Sequence, residues 1–385
     1  MGRPERFAIV GGGIGGLSLA IAMQRKGFKV SIFENAPQIK SLGAGLALAA
    51  NAVKGFSEMG IADAVLDAGS VLKKVRIKDA TGRILAETDS EKLSAKYKTV
   101  NNFTIHRADL HEVLLQQLSQ GTLILGRGCT DFIQTSNGVE LTFNDGTSSF
   151  ADYVIACDGV HSIFRRKLLP ESSPRYAGYT CWRAVIEDVP SSVNMEETSE
   201  TWGMGSRFGI APLNKGRVYW FACLNAKEND PTMRDYRIKD LLNHFASFHA
   251  PIPDILRHTR DEHLIWNDII DVKPLKQFAF DRVLLMGDAA HATTPNMGQG
   301  ACLAIEDAVI LASVLDSSYT VEEAFNVFTQ KRIHRTTTIV NNSWQLGRIA
   351  QWENPVMIKL RNLLLRMTPP SMAERQIKFL LDVKF

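Results

Sequence analysis

The stretch FAIVGGGIGGLSLAIAMQRKGFKVSIFE, residues 7–34, contains the pattern that decides the fold. Its beginning, residues 7–11, is apolar and β-branched and predicts a buried strand. Helical periodicity follows over residues 14–26, Gly27 ends that helix, and residues 29–34 predict a second strand. Strand, helix and strand in this order form a βαβ unit, which indicates an α/β domain built on a parallel sheet.

Glycines in the turn between the first strand and the helix form the pattern GxGxxG, at Gly11, Gly13 and Gly16. The first glycine of such a turn permits the tight bend, the second admits a pyrophosphate to the backbone, and the third allows close helix–strand packing. Gly15 lies in the same turn, and Glu34 follows about twenty residues later, where an acid can bind ribose hydroxyls. The pattern predicts a dinucleotide site, and the charge of Glu34 favours FAD or NAD over NADP at this turn.

Composition limits the possible classes of protein. The 385 residues are 45% hydrophobic, which is enough for a full core and predicts two domains. Lysine and arginine number 44 against 41 acidic residues, without a long single-sign block, which argues against nucleic-acid binding. The five cysteines lack metal-ligand or CxxC spacing, which indicates reduced thiols and a cytoplasmic protein. No apolar stretch is long enough for a transmembrane segment.

The chain changes character between residues 173 and 275. Long β-like stretches rich in aromatic residues, such as YAGYTCWRAVIE (176–187) and GRVYWFACL (216–224), predict a separate sheet there. Before it, residues 52–66 predict a helix and residues 71–88 predict a hairpin. After it, the chain from residue 321 onward predicts helices that are broken at two proline positions, 355 and 369–370.

Two further stretches contain candidate functional residues, CDGVHSIFR (157–165) and GDAAHATTPNMGQG (287–300). Together with the first glycine turn, in this order and spacing, they resemble the single-component (group A) FAD-dependent aromatic hydroxylases, a family of flavoprotein monooxygenases. The resemblance covers nearly the whole chain. Its nearest branches are the urate and salicylate hydroxylases and the carotenoid epoxidases.

The resemblance implies an α/β fold with a three-layer, Rossmann-like FAD-binding domain, an inserted β-sheet substrate domain and C-terminal helices. FAD would lie extended, with its adenine end on the first glycine turn and its flavin end against residues 287–300. The implied boundaries are 1–72, 101–172 and 276–320 for the discontinuous FAD-binding domain, 73–100 and 173–275 for the substrate domain, and 321–385 for the C-terminal helical region.

The resemblance also implies cofactor contacts outside the first turn. Asp288 would accept hydrogen bonds from the ribityl hydroxyls, and Pro295 would lie beside the reactive edge of the flavin. The backbone around Gly298 and Gly300 would donate to the pyrimidine side of the ring, where a side chain would hold the backbone away. The remaining implied contacts are Asp158, Arg107, Gly45 within GAGL (43–46), and Arg165 as a clamp on phosphate or on the protein itself.

The activity that the resemblance implies is NAD(P)H-dependent monooxygenation. NAD(P)H would reduce FAD, and O2 would then give a flavin C4a-hydroperoxide that hydroxylates or epoxidises a small aromatic, heteroaromatic or polyene substrate. The sequence has one complete GxGxxG, so NAD(P)H is expected to bind transiently. A flavin hydroperoxide decomposes in water, and the aromatic sheet is therefore predicted to wall a dry substrate pocket.

Substrate contacts are predicted on that sheet. An arginine there would bind an anionic or carbonyl-bearing ring, and a tyrosine would orient the substrate or relay a proton. Strand alternation places Tyr219 and Phe221 on one face and Trp220 on the other. The predicted catalytic residues are Arg207, Tyr219, Arg183 and Pro295, and the predicted pocket lining adds Phe221, Met204 and Trp220.

Asn296 departs from the urate-hydroxylase pattern, in which an acid is expected at this position. An asparagine side chain cannot act as a base, so urate itself is placed in doubt as the substrate. The form PNMGQG (295–300) also resembles the carotenoid-epoxidase version of the loop.

Two alternatives of a different kind stay open. One is a flavin-dependent reductase or dehydrogenase on the same fold, and the other is a non-catalytic flavin-bound protein whose C-terminal helices recruit a partner. Residues 357–367 and 375–385 mix apolar and basic side chains; they are expected to pack on the FAD-binding domain, with weak membrane-surface association as the alternative. The protein is expected to be a monomer or homodimer.

Overall fold

The computed structural model describes residues 6–39, 44–317, 320–383 and 385. The first part of the chain forms β1 (Phe7–Val10), α1 (Ile14–Arg25), β2 (Val30–Phe33), β3 (Gly45–Leu48), α2 (Ala50–Glu58), α3 (Ala62–Asp67), β4 (Ser70–Val71), β5 (Lys74–Asp79), β6 (Ile84–Asp89), α4 (Ser90–Tyr97), β7 (Phe103–His106), α5 (Arg107–Gln116) and β8 (Leu123–Ile124). The middle forms β9 (Cys129–Thr135), β10 (Gly138–Phe143), β11 (Ser148–Ala151), β12 (Tyr153–Ala156), α6 (Ile163–Leu168), β13 (Pro174–Ile186), β14 (Glu197–Trp202), β15 (Ser206–Pro212) and β16 (Val218–Asn225). The last part forms α7 (Pro231–Asp235), α8 (Ile238–Phe245), α9 (Ile252–Arg257), β17 (Ile265–Val272), β18 (Ala279–Phe280), β19 (Val283–Leu285), α10 (Asp288–His291), α11 (Gly300–Leu315), α12 (Val321–Ala350), α13 (Pro355–Met367) and α14 (Pro370–Leu381).

A six-stranded sheet in the order β18-β19-β12-β1-β2-β8 forms the centre of the first domain. Its strands from β19 to β8 are parallel, and β18 is antiparallel to β19. Strands β1 and β12 read FAIV and YVIA and are buried along their whole length. Both faces of this sheet are therefore covered, as parallel sheets require.

The two faces of this sheet are covered by different layers. Helix α1 lies over Ile9, because a Cβ atom at Gly16 would stand 3.3 Å from the Ile9 side chain. Val10 and Phe33 are register partners on the opposite face, where the Phe33 ring lies 4.7 Å from the Phe143 ring of the antiparallel sheet β11-β10-β9. Helix, parallel sheet and antiparallel sheet form the predicted three-layer α/β architecture.

A second, seven-stranded sheet has the order β17-β13-β16-β15-β14-β5-β6. It combines the hairpin at 74–89 with strands from the region between 174 and 272. One face, called here the far face, carries Trp182, Trp220 and Phe208, which pack with helices α8 and α9 into a separate core. The opposite face, called here the near face, carries Arg183, Arg207, Tyr219 and Phe221 and is turned toward the first domain.

Two predicted elements differ from the structure. The helix expected at 52–66 is interrupted at Gly60, whose φ of +61° ends α2 before α3 begins. The region 173–275 is not all β, because residues 231–257 contain helices α7 to α9. These helices are short and are stabilised by packing on the far face of the seven-stranded sheet. Hydrophobic periodicity over so few residues is a weak sequence signal for a helix.

The C-terminal region is helical, with breaks where they were predicted. Helix α12 starts with a capping box between Thr320 and Glu323. Helices α13 and α14 each begin with a proline, Pro355 and Pro370, at the first helical position that tolerates it. A search of the described helices found none that is both long and apolar enough to traverse a bilayer.

Candidate active site

Four neighbouring parallel strands end at one edge of the six-stranded sheet, in the order β2, β1, β12 and β19. Glu34 follows β2, Gly11 follows β1, Asp158 lies two residues after β12, and Asp288 lies three residues after β19. Neighbouring strands are about 4.8 Å apart, so this row spans about 14 Å. Ligands of open α/β sheets bind beyond the carboxyl ends of the strands. The structure therefore brings residues from both ends of the chain into one row.

Two glycines beside this row are not required by the protein's own packing. Gly13 has a φ of −74°, and a Cβ atom there would meet nothing within 4 Å. A Cβ atom at Gly300 would meet only the Thr293 methyl group, at an ordinary 3.8 Å. Every other glycine in the described ranges has a positive φ or would bring its Cβ within 3.3 Å of another atom. Side chains at 13 and 300 would enter open space, which indicates room kept for a ligand.

The same two glycines stand at helix starts that no side chain caps. Gly13 is the N-cap of α1, and Gly300 is the first residue of α11, after Gln299. The two helices pack together, since a Cβ atom at Gly15 would lie 3.3 Å from the Cβ of Ala304. Free amides and the positive ends of both helix dipoles are thus directed to one cleft, where they can bind anionic or carbonyl oxygens.

Glu34 fixes the geometry of the first turn. One carboxylate oxygen accepts from the Gly12 amide at 2.6 Å, and the other accepts from the Ala36 amide at 2.7 Å. Each oxygen retains a lone pair for a ligand hydroxyl. Gly11 and Gly16 are required by the fold of the turn itself. Gly11 has a φ of +108°, and a Cβ at Gly16 would stand 2.0 Å from the Gly11 carbonyl oxygen.

The two aspartates of the row have unsatisfied carboxylates. Asp158 accepts from the Ile163 amide at 2.8 Å through one oxygen, while its other oxygen is buried and has no partner among the described residues. Burial raises the pKa of Asp158 against these hydrogen bonds. Asp288 has an exposed side chain; desolvation raises its pKa, and the charges of His291, Arg107 and Arg165 oppose this rise. Its accessible carboxylate therefore belongs to the wall of the open space at this sheet edge.

The remaining predicted cofactor residues lie around that wall. Pro295 and Gly298 are exposed, and Gly298 has a φ of +63°. The Arg107 amide donates to the Ala44 carbonyl oxygen at 2.9 Å. Burial lowers the pKa of the Arg107 guanidinium, and the charge of Asp288 offsets only part of this shift. Gly45 pairs with His106 and would bring a Cβ atom within 2.5 Å of Tyr219. Gly43, the first residue of the GAGL motif, lies outside the described residues.

Arg165 and His291 support the row from behind. The buried Arg165 guanidinium donates to the carbonyl oxygens of Ala289 and Val160, with the Ala289 bond at 2.9 Å. Its function is therefore the structural clamp of the two predicted possibilities. His291 is bound through Nε2 to Asp307 at 2.7 Å. Both residues hold the loop that presents Asp288.

A buried charge network beneath Asp288 was not predicted from the sequence. Asp307 binds the Gly287 amide at 3.1 Å and Arg332 Nε at 2.6 Å. Glu306 binds Arg332 at 2.6 Å and also Arg335 and Asn51. Desolvation opposes ionisation of Asp307, but the charges of His291 and Arg332 outweigh it and lower the pKa to about 2. The acidic pair in LAIEDA (303–308) was the available sequence sign of this network. Its arginine partners lie on the next helix, α12, and no local pattern identifies them.

His111 is a second residue that the sequence analysis missed. It lies one helical turn after Arg107, and its Nε2 is buried without a partner in the part of the chain that the structure describes. Burial and the charge of Arg107, opposed by the charge of Glu34, lower the pKa of His111 to about 4. A neutral imidazole therefore lies beside the cofactor residues, with one ring nitrogen that has no described partner.

Register places the predicted substrate residues on the near face of the seven-stranded sheet. Arg183 is opposite Phe221, and Arg207 is opposite Cys223, so alternate residues of β13, β15 and β16 share this face. The Tyr219 and Phe221 rings lie 6.2 Å apart. Burial raises the pKa of Tyr219, so its hydroxyl stays protonated. The contact between Tyr219 and Gly45 brings this face against the cofactor cleft.

The two predicted arginines differ in availability. Arg207 is almost fully buried; it donates to Gln351 at 2.9 Å and to Glu200 at 3.1 Å, and its guanidinium lies 5.0 Å from the Tyr179 ring centre. Arg183 donates to Asn267 through its terminal nitrogen, while its Nε is buried without a described partner. Arg183 thus remains half-buried with guanidinium nitrogens beyond the one that binds Asn267, and Arg207 supports Tyr179.

Two predicted lining residues lie elsewhere. Trp220 faces the far core, where its ring stacks on Phe208 and its Nε1 donates to Thr259 at 2.9 Å. Its assignment to the pocket was wrong, because the strand alternation directs it away from the near face. Met204 is exposed in the turn between β14 and β15.

Asn296 donates two hydrogen bonds that an ionised acid could not donate. Its amide nitrogen donates to Thr294 Oγ1 at 2.8 Å and to Ser343 O at 2.9 Å, and its oxygen accepts from the Tyr179 hydroxyl at 3.0 Å. Helix α12 approaches it closely, since a Cβ atom at Gly347 would lie 2.3 Å from the Asn296 amide nitrogen. The asparagine therefore positions Tyr179 and joins the 295–298 turn to α12.

Asn296→Asp is expected to lower the free energy of unfolding by about 1–3 kcal/mol, because a carboxylate would face the Ser343 carbonyl without a proton to donate. Urea denaturation of the wild type and the variant measures the change. Asn137→Asp, at an exposed turn, is the control and is expected to change stability by less than about 0.5 kcal/mol. Equal stability of Asn296→Asp and the wild type would contradict the assigned donor bonds.

Comparisons with known proteins agree with this geometry. A family model described as "FAD binding domain" matches residues 6–343. The aurachin C monooxygenase/isomerase of Stigmatella aurantiaca is 39% identical, over 93% of this chain and 93% of that protein. The 2-heptyl-3-hydroxy-4(1H)-quinolone synthase of Pseudomonas aeruginosa is 32% identical, over 95% of each. The structure of Klebsiella pneumoniae HpxO complexed with FAD and uric acid has a TM-score of 0.90 and 27% identity, covering 98% of this chain and 96% of that one.

Proposed function

The chain belongs to the FAD binding domain family and is an FAD-dependent monooxygenase, and we propose that it hydroxylates a neutral heteroaromatic ketone of the 4(1H)-quinolone class. The relatives are named as monooxygenases and hydroxylases, which argues against both the reductase and the non-catalytic alternatives. One of them is named for a compound of this class, a 3-hydroxy-4(1H)-quinolone, and another is named for an aurachin.

The position of Arg183 is the observation that carries the substrate proposal. It is a half-buried cation on the same face as Phe221 and Tyr219, and its Nε has no described partner. A hydrogen-bond donor among aromatic rings fits an apolar ring system that bears one carbonyl oxygen. The 4-oxo group of a quinolone supplies that oxygen, and Phe221 and Tyr219 supply flat contact surfaces for the ring.

The absence of an acid at Asn296 fits the same substrate class. Carbon 3 of a 4(1H)-quinolone is already nucleophilic, because the ring nitrogen lone pair is conjugated through the double bond to the carbonyl group. Attack by this carbon therefore needs no strong base to remove a proton beforehand. Asn296 and Arg207 then hold Tyr179 in place, while an anionic substrate such as urate would lack a free cation at Arg207.

When FAD is bound, it transfers electrons from NAD(P)H to O2 and supplies the electrophilic oxygen atom. The balanced reaction converts substrate C–H, O2, NAD(P)H and a proton into substrate C–OH, NAD(P)+ and water. The protein's contribution is to orient the substrate carbonyl with Arg183, to exclude water with the near face, and to donate from the protonated Tyr219 hydroxyl.

The cofactor contacts are proposed from the row of residues described above. Glu34 would bind the adenosine ribose, Gly13 would admit the pyrophosphate, and Asp158 and Asp288 would accept from ribityl hydroxyls. The backbone at Gly300 and its neighbours would then approach the pyrimidine side of the flavin. The two open glycines and the unsatisfied Asp158 oxygen support this arrangement.

The test is turnover with a synthetic 2-alkyl-4(1H)-quinolone. The purified FAD-loaded protein is expected to oxidise NAD(P)H faster when the quinolone is present, and mass spectrometry is expected to find a product that has gained one oxygen atom. Arg183→Met is expected to raise KM about 10–100-fold, the value of about 1.5–3 kcal/mol for a hydrogen bond to a charged donor. Arg257→Met, an exposed arginine, is the matched control.

Other outcomes would contradict the proposal. If urate or a hydroxybenzoate stimulates NAD(P)H oxidation and acquires oxygen while the quinolone does neither, the substrate class is wrong. If Arg183→Met leaves KM for the quinolone unchanged, the carbonyl contact is wrong.

The cellular compartment is proposed from the cysteines. The five cysteines lack CxxC and metal-ligand spacing, which supports reduced thiols and a cytoplasmic location. We expect a monomer or homodimer, which light scattering of the purified protein would distinguish.

A further inference from the structure

Helix α13 presents an apolar face to solvent. Six of its thirteen residues are exposed large hydrophobic side chains. They are Val356, Met357, Leu360, Leu363, Leu364 and Met367, called here the α13 face. Their spacing places them on one side of the helix, within about 120° of its circumference at 100° per residue. Isolated exposed hydrophobic residues need no explanation, but a contiguous helical stripe marks an interaction surface.

One flank of α13 is anchored to the protein. The buried Arg361 donates to the Ala350 carbonyl oxygen at 2.8 Å, and its guanidinium lies 5.2 Å from the Trp202 ring centre. The helix is therefore fixed in orientation, with its apolar face outward. Residues 357–367 were predicted to pack on the FAD-binding domain, but α13 instead contacts the seven-stranded sheet at Trp202, and its apolar face stays exposed.

Basic residues border the α13 face. Lys359 and Arg366 are exposed and lie seven residues apart, on one flank of the apolar stripe. The charge of the whole chain is concentrated in this region: residues 355–385 contain six lysines and arginines against two acidic residues, of 44 against 41 in the full sequence. The remaining residues carry 38 against 39 and are nearly neutral.

We propose that the α13 face docks on the surface of an anionic lipid bilayer. Apolar side chains on one face with lysine or arginine at its flank is the arrangement of interfacial helices, whose binding combines buried apolar area with attraction to anionic headgroups. A second copy of the chain fits less well, because a symmetric contact through this face would bring the basic flanks and their surplus positive charge together.

Docking at this place would serve the reaction. Helix α13 contacts the seven-stranded sheet at Trp202, which is the register partner of Arg207 at the edge of the near face. Bilayer contact would therefore bring the near face of the seven-stranded sheet close to the membrane, where apolar heteroaromatic compounds partition. The docking itself does not depend on the identity of the substrate, so its test is independent of turnover.

The test is co-sedimentation of the full-length, FAD-loaded protein with vesicles. We expect binding to vesicles of phosphatidylcholine and phosphatidylglycerol, at least about tenfold weaker binding to phosphatidylcholine alone, and weakening by salt. The doublet Leu360→Glu/Leu364→Glu is expected to reduce binding to the anionic vesicles by at least about tenfold, without loss of flavin. Ile133→Glu, at an exposed apolar residue on β9, is the matched control and is expected to bind like the wild type.

Three results would overturn the proposal. The first is no binding of the wild type to anionic vesicles, and the second is binding that the doublet leaves unchanged. The third is a dimer in analytical ultracentrifugation that the doublet dissociates, without vesicle binding by the wild type, since this would assign the α13 face to a second copy.

Discussion

Gly13→Val is expected to give a folded, colourless protein. The position has a φ of −74° that valine tolerates, and a Cβ atom there would meet nothing within 4 Å, so the apoprotein has room for the side chain. The valine methyl groups would occupy the space through which the pyrophosphate approaches the α1 amides. We expect FAD affinity to fall by at least about 100-fold, equal to about 2.8 kcal/mol. Flavin fluorescence titration of the apoprotein measures the loss, and circular dichroism measures the fold.

Gly16→Ala is the informative comparison within the same motif. Its Cβ atom would stand 2.0 Å from the Gly11 carbonyl oxygen, so this variant is expected to lose stability before binding is measured. Gly13 is thus required for binding the ligand, and Gly16 is required for folding of the chain. Unchanged FAD affinity in a folded Gly13→Val protein would show that the cofactor does not pass over this turn.

Arg332→Met is expected to lower the free energy of unfolding by about 3–5 kcal/mol. The substitution would remove the cation that the buried carboxylates of Glu306 and Asp307 share, and would leave them only Arg335 and His291 as charged partners. Removing one member of a buried ion network is far more costly than breaking an exposed pair. Because Asp307 also binds the Gly287 amide, the variant is expected to retain less FAD. Urea denaturation and the flavin content of the purified protein measure the two effects.

Lys26→Met is the control for that experiment. Lys26 pairs with Asp316 at 2.9 Å on the surface, where both side chains are close to half exposed, and loss of the pair should cost less than about 1 kcal/mol. If the two variants were equally stable, the network beneath Asp288 would be no stronger than a surface pair.

The sequence was sufficient to bring the proposed cofactor residues together at one edge of the six-stranded sheet. GxGxxG, Glu34, Asp158 and Asp288 follow strands whose apolar composition is easily recognised, and parallel strands align their carboxyl ends. Trp220 was misassigned to the pocket although its alternation with Tyr219 already indicated the far face. That face is decided by helices α8 and α9, which were not predicted.

The parts that could not be predicted depend on contacts between distant segments. Nothing near residue 306 in sequence identifies Arg332 as the partner of Glu306, and nothing near Asn296 identifies Tyr179 and Ser343. The role of Arg207 was likewise set by Gln351, far along the chain. Such pairings arise only when α12 crosses behind the site.

Helix α12 contacts both halves of that site. It pairs with Glu306 and Asp307 under the cofactor loop, receives the Asn296 amide at Ser343, and is followed directly by Gln351, which binds Arg207. A displacement of α12 would therefore change the geometry of both the cofactor site and the substrate site. Thermodynamic linkage then requires reciprocity: whatever factor bound coenzyme adds to the affinity for the organic substrate, bound substrate must add to the affinity for coenzyme.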